Sequence, residues 1–156
     1  MAHRRHTEHR PTKEKFFPAT YASGGDKSAL GGFSGPDIDG TNEYGYTNCL
    51  IPWDFDKVVS IVLVFIATAT QTPMYVNIVS DYAKAGEAYF EHNENVSLSI
   101  NTVLSRIHEL NLYDAVDTQG LEASDYLGIQ ASRLASLPTE NTDMVILGVR
   151  LRYLYR

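Results

Sequence analysis

Apolar and polar residues alternate along much of this chain. In residues 74–82, MYVNIVSDY, Met74, Val76 and Ile78 share one side of an extended strand, with Asn77 and Asp81 on the other. Residues 96–102, VSLSINT, set Val96, Leu98 and Ile100 against Ser97, Ser99 and Asn101. Residues 125–133 repeat the pattern, with Leu127, Ile129 and Ala131 facing one way and Tyr126, Gln130 and Ser132 the other. The last segment, 143–156, places Val145, Leu147, Val149, Leu151, Tyr153 and Tyr155 together, opposite Arg150, Arg152 and Arg156. Side chains alternate across a pleated strand, so these segments predict half-buried strands of an antiparallel sandwich. Residues 103–116 fit a short strand and then a helical turn near DAVDTQG.

One segment breaks the alternation. In KVVSIVLVFIATAT, residues 57–70, both faces are apolar. It is too short for a membrane helix, which needs about 20 apolar residues. Its many β-branched residues favour a strand covered on both sides. Val62, Val64 and Ile66 lie on one face and Ile61, Leu63 and Phe65 on the other. Two thin sheets cover one face only, so the other calls for the N-terminal segment or a neighbouring subunit.

Residues 16–48 are rich in Gly and Ser with scattered aromatics, and residues 1–15 carry five cations against two carboxylates. We divide the chain into an extended, partly disordered arm with short strands over 1–43 and a sandwich over 44–156. The arm's anchors are Phe16, Phe17, Tyr21 and Phe33, and its basic tip is Arg4, Arg5, Arg10, Lys13 and Lys15. The chain's net charge is −6, so a basic arm on an acidic body suggests a partner of its own. An acidic neighbouring subunit fits this better than nucleic acid, which the tip's charge would also admit. The N-terminal charge has no apolar stretch behind it, so we expect neither a signal peptide nor a membrane partner.

The search for chemistry is mostly negative. Cys49 is alone and excludes an internal disulfide. The glycines of SGGDKS lack phosphate-loop spacing, and Ser34 in GGFSGP lacks the G-x-S-x-G of a nucleophile elbow. His3, His6 and His9 lie in the arm, without the second shell that a metal site requires. Asp37, Asp39 and Glu43 in DIDGTNE are oxygen donors of the kind calcium takes, but Gly40 falls too early for an EF-hand loop. Asp54 and Asp56 could form a glycosidase pair, although PWDFD reads better as a turn in which Trp53 and Phe55 anchor the long strand. We expect no cofactor, no metal and no enzymatic activity.

The order of IPWDFD (51–56), AGEAY (85–89), ASDYLGIQASR (123–133) and VILGVRLRY (145–153) resembles jelly-roll structural modules of tailed phages and viral metagenomes. The resemblance implies an all-β, antiparallel jelly-roll-like sandwich acting as a capsid decoration, spike or fibre subunit. It implies a homo-oligomer in a virion or other extracellular assembly; the second apolar face of 57–70 adds Ile61, Leu63 and Phe65 to the arm aromatics as the expected interface. Two alternatives stand beside it: a filament subunit assembled by strand exchange, and a carbohydrate-binding jelly roll. Tyrosines clustered on one exposed sheet face favour the sugar; clustering of Tyr44, Tyr46, Tyr153 and Tyr155 between chains favours assembly.

Overall fold

The computed structural model describes residues 10–22, 27–133 and 142–156. Among them the chain forms β1 (Thr12–Pro18), β2 (Thr20–Ala22), β3 (Lys27–Leu30), β4 (Phe33–Ile38), β5 (Tyr44–Leu50) and β6 (Phe55–Ala67). They are followed by β7 (Gln71–Ala83), β8 (His92–Thr102), β9 (Ile107–Asn111), β10 (Tyr126–Ser132) and β11 (Met144–Tyr155). One sheet runs β3-β4-β11-β6-β9, with β1 also paired to β11; the other runs β2-β5-β10-β7-β8. Counted from β4, the first sheet takes the first, eighth, third and sixth strands, and the second takes the second, seventh, fourth and fifth. That order is a jelly-roll sandwich. The expected helical turn after β9 is a run of turns over 113–120.

The long apolar strand is β6, at the heart of the first sheet between β11 and β9. Ile61, Leu63 and Phe65, expected at an interface, are buried in the chain's own core with Val76, Ile78, Leu127, Ile129 and Val149. The opposite face is also covered from within: Val62 and Ile66 are buried. Arg150 lies beside Val62 on β11, and Glu109 lies beside Val64 on β9. Their 2.8 Å ion pair therefore reaches across the outer surface of β6. The long arginine stem covers apolar surface while its charged head stays wet. Val62 and Ile66 are thus covered within the chain, whereas Val64 is half-buried and Val59 is exposed.

The arm also folds back. β1 pairs with β11 from Thr12↔Leu154 to Pro18↔Gly148, and β4 supplies the first jelly-roll strand. Strand pairing therefore crosses the boundary drawn at residue 44, since β2 also pairs with β5. Phe17 packs on the core, whereas Phe16 on the opposite side of β1 and Phe33 in β4 remain about half exposed. Arg10 pairs with Asp56 at 2.9 Å, and Lys13 with Asp54. Of the basic tip, Arg10 and Lys13 are thus met by carboxylates of this chain, while Lys15 makes no ion pair among the described residues. Arg4, Arg5 and the three N-terminal histidines lie outside the described residues, as does the side chain of Tyr21.

β11 departs from simple alternation. Its register with β6 jumps between Ile146↔Phe65 and Gly148↔Val64, leaving Leu147 in a bulge. A bulge inserts one residue and switches which face later residues occupy. Met144 and Ile146 are therefore inward before it, and Val149, Leu151 and Tyr153 after it. The expected inward positions of Val145 and Leu147 are corrected accordingly. The bulged carbonyl of Leu147 accepts the Ala19 N–H at 2.9 Å, where the chain leaves β1 for the other sheet. At Gly148, with φ +156°, an added Cβ would stand 2.2 Å from the Phe17 carbonyl oxygen. Gly148→Val should therefore cost about 2 kcal/mol or more in urea unfolding. Wild-type stability in that variant would show that the close contact with β1 is not required.

Candidate functional site

The second sheet turns its outer face to solvent, and the strand register assembles that face in rows. One row holds Leu50, Tyr126 and Ala83; the next holds Asn48, Gly128, Asp81 and Asn93. Tyr46, Gln130, Val79 and Asn95 form a third, and Tyr44, Ser132, Asn77 and Ser97 a fourth. Because residues alternate across each strand, the buried Thr47, Cys49, Leu127 and Ile129 hold the same strands to the core. The face is amphipathic by construction. Tyrosines occupy β5 and β10, and amides cluster towards β8.

A groove of about 570 Å³ opens on this face, lined by Asn48, Leu50, Asp81, Lys84, Glu87, Tyr89, Tyr126 and Gly128. Gly128 leaves its floor open: an added Cβ would meet only the Asp81 carbonyl, at 3.9 Å. Tyr126 is 58% exposed and Tyr89 76% exposed, so both rings stand in water beside the groove. Tyr44 and Tyr46 extend the aromatic side, with ring centroids 6.4 Å apart. Asp81 accepts the Asn93 side-chain N–H at 2.7 Å through one oxygen, which orients the carboxylate.

Surrounding contacts fix this frame. Lys84 pairs with Glu122 at 2.6 Å, while its backbone N–H donates to Glu87 at 2.8 Å. Tyr82, beneath the face, stacks on His92 at 4.2 Å and donates its hydroxyl to Asp117 at 2.9 Å. Burial, and then the Asp117 hydrogen bond, push the Tyr82 hydroxyl well above its ordinary pKa. The bond to Tyr82 in turn holds Asp117 below the usual carboxylate range. Cys49 lies under the groove with its thiol pushed up to about 12 by burial, so it is protonated and unreactive.

The other candidates are engaged in contacts within the chain. Glu43 folds inward, its Oε2 accepting the Asp39 N–H at 2.7 Å and the Gly40 N–H at 2.6 Å. Burial raises the pKa of Asp39, helped by Glu43 and Asp37. Among the described residues no group of three His, Cys, Asp or Glu is arranged to hold a metal ion. Asp54 and Asp56 are ion-paired to the arm, and Asp54 also accepts the buried Tyr153 hydroxyl at 3.2 Å. Of the two aromatics expected to anchor β6, Phe55 is buried, but Trp53 is 84% exposed.

No family model and no curated protein matches this chain. Solved structures similar to it include two with TM-scores above 0.4. One is the CBM36-1 domain of a multidomain xylanase from the hindgut metagenome of Trinervitermes trinervoides, at 10% identity and a TM-score of 0.44, covering 89% of this chain and 96% of that one. The other is a family 11 carbohydrate-binding module from Clostridium thermocellum in complex with a beta-1,3-1,4-mixed-linked tetrasaccharide. It is 12% identical with a TM-score of 0.47, covering 88% of this chain and 94% of that one.

The Lys13–Asp54 pair leads to a pH prediction. The Lys13 hydrogen bond lowers the Asp54 pKa, and the same bond raises that of Lys13. A carboxylate with a depressed folded pKa stabilises above its unfolded value and loses that contribution as pH falls through the folded one. The lysine's contribution is present below its unfolded value and lost as pH rises through its raised one. Asp54→Asn should therefore be destabilised relative to wild type across neutral pH, with the gap closing as pH falls below the ordinary Asp range. Urea unfolding across pH measures this, and a gap that persists in strong acid would contradict it.

Proposed function

We propose that this protein is a non-catalytic carbohydrate-binding module that holds a glycan chain in the groove on the outer face of the second sheet. The observation that carries this reading is the pairing of exposed tyrosine rings with an open polar floor. A sugar ring has an apolar C–H face and a rim of hydroxyls. Tyr126 and Tyr89 offer aromatic surfaces for the first, while Asn48 and Asp81 offer donors and acceptors for the second. Tyr44, Tyr46 and Gln130 continue the same chemistry along the sheet, as an extended ligand requires. Tyr44, Tyr46 and Tyr126 share one sheet face of one chain, the arrangement that favours the sugar over the assembly reading. The cover that the chain itself gives Val62 and Ile66 removes one of the arguments for a neighbouring subunit.

Both carboxylates of the groove are engaged as acceptors, Asp81 by the Asn93 amide and Glu87 by the Lys84 backbone N–H, which supports a binding role for them. Isothermal titration against a panel of soluble oligosaccharides tests the proposal. One class should bind, with Tyr126→Ala weakening it by about tenfold or more, as expected for a central aromatic anchor. Asp81→Asn should weaken it less, since the amide retains one acceptor. Binding unchanged in Tyr126→Ala, or the absence of any oligosaccharide binding, would refute it.

A further inference from the structure

A second groove, of about 510 Å³, opens at one end of the sandwich between β1 and the turn that follows β5, and Leu50 belongs to both grooves. Its lining includes Lys13, Lys15, Trp53 and Ser124. Trp53, the sole tryptophan of the chain, sits at the tip of a turn closed by the Phe55 N–H donating to the Pro52 carbonyl at 3.1 Å. Both flanks of that turn are fixed. Phe55 is buried, and Asp54 is held by Lys13 and Tyr153. Ile51 donates its N–H to the Asp125 carbonyl at 2.9 Å and accepts the Ser124 N–H at 3.0 Å. The indole is therefore carried on a rigid frame and still shown to water, an arrangement that core packing does not explain.

Charge separates the two grooves. The first carries Asp81 and Glu87, and its cation, Lys84, is paired with Glu122. In the second, Asp54 is neutralised by Lys13, while Lys15, two residues along the same side of β1, makes no ion pair among the described residues. One ammonium is thus left beside one exposed indole. We propose that this second groove binds a carboxylated sugar residue, stacking the ring on Trp53 and pairing the carboxylate with Lys15, with the Ser124 hydroxyl available to a ring hydroxyl. The site stands on its own residues and shares only Leu50 with the groove proposed above.

Trp53 provides its own readout, because no other tryptophan contributes to emission. The full chain is titrated with a galacturonate trisaccharide and, separately, with a neutral galactose trisaccharide while tryptophan fluorescence is followed. The acidic sugar should give a saturable change that weakens as salt rises, and the neutral one should give none. Lys15→Gln, with its urea midpoint checked as a control for folding, should weaken the acidic sugar by about tenfold or more. Tyr126→Ala, which disables the first groove, should leave this signal intact, so the two readings fail separately. The proposal is overturned by no saturable change, by equal responses to both sugars, or by an unaffected Lys15→Gln. A change of emission on simple dilution would also overturn it, because a second copy of the chain would then be the occupant.

Discussion

The pairing of β6 with β11 is the constraint on which the rest of the structure depends. The two strands are bonded along nearly their whole lengths, from Met144↔Ala67 to Tyr155↔Phe55. Every other strand of the first sheet joins one of them, except β3, which pairs with β4. β9 takes the free edge of β6, while β4 and then β1 share the free edge of β11. The inner face of the pair supplies Phe65, Ile61, Leu63, Val149 and Leu151 to the core on which the second sheet rests. With one sheet providing the foundation, the other can turn an uncovered face to solvent.

That division of labour explains the composition of the two sheets. Strand β6 is apolar on both faces because its outer surface is roofed by the Arg150–Glu109 pair. Strands β5, β7 and β10 are apolar on one side only, and their other side carries tyrosine, amide and carboxylate groups. A sheet anchored through one face can bear exposed aromatic rings without relying on them for stability. Rigid strands hold such groups more firmly in place than loops do. The groove therefore sits where backbone pairing is continuous, and Gly128 deepens it by omitting a side chain.

Much of the fold was legible in the sequence. Period-two alternation located β7, β8 and β10 and their inward faces, and β-branching identified β6 as a strand. The reading failed where the period changes locally: the bulge at Leu147 shifts β11 by one residue, and Gly148, a glycine inside a strand pattern, was its one sign in the sequence. Over 10–43 short strands were expected, but nothing in the glycine and serine composition shows that β1 and β4 pair with β11. The outward residues of the site were also visible, since Tyr126, Gln130, Asn77 and Asp81 were assigned to the polar side. Their adjacency was not, because it depends on β10 lying between β5 and β7, an order set by long-range pairing. Trp53 was misplaced for a related reason. Its apolar character suggested burial, whereas the turn that Lys13 and Tyr153 hold through Asp54 turns it outward.

The account's central claim is that the outer face of the second sheet receives a glycan. Backbone amide chemical shifts of the isotopically labelled chain, recorded during titration with the oligosaccharide that binds in solution, test it most directly. The account predicts perturbations concentrated at Asn48, Asp81, Tyr126, Gly128 and Gln130, with the outer face of β6, β9 and β11 silent. Perturbations centred on Val62, Val64 and Glu109, with the tyrosine rows unmoved, would contradict it.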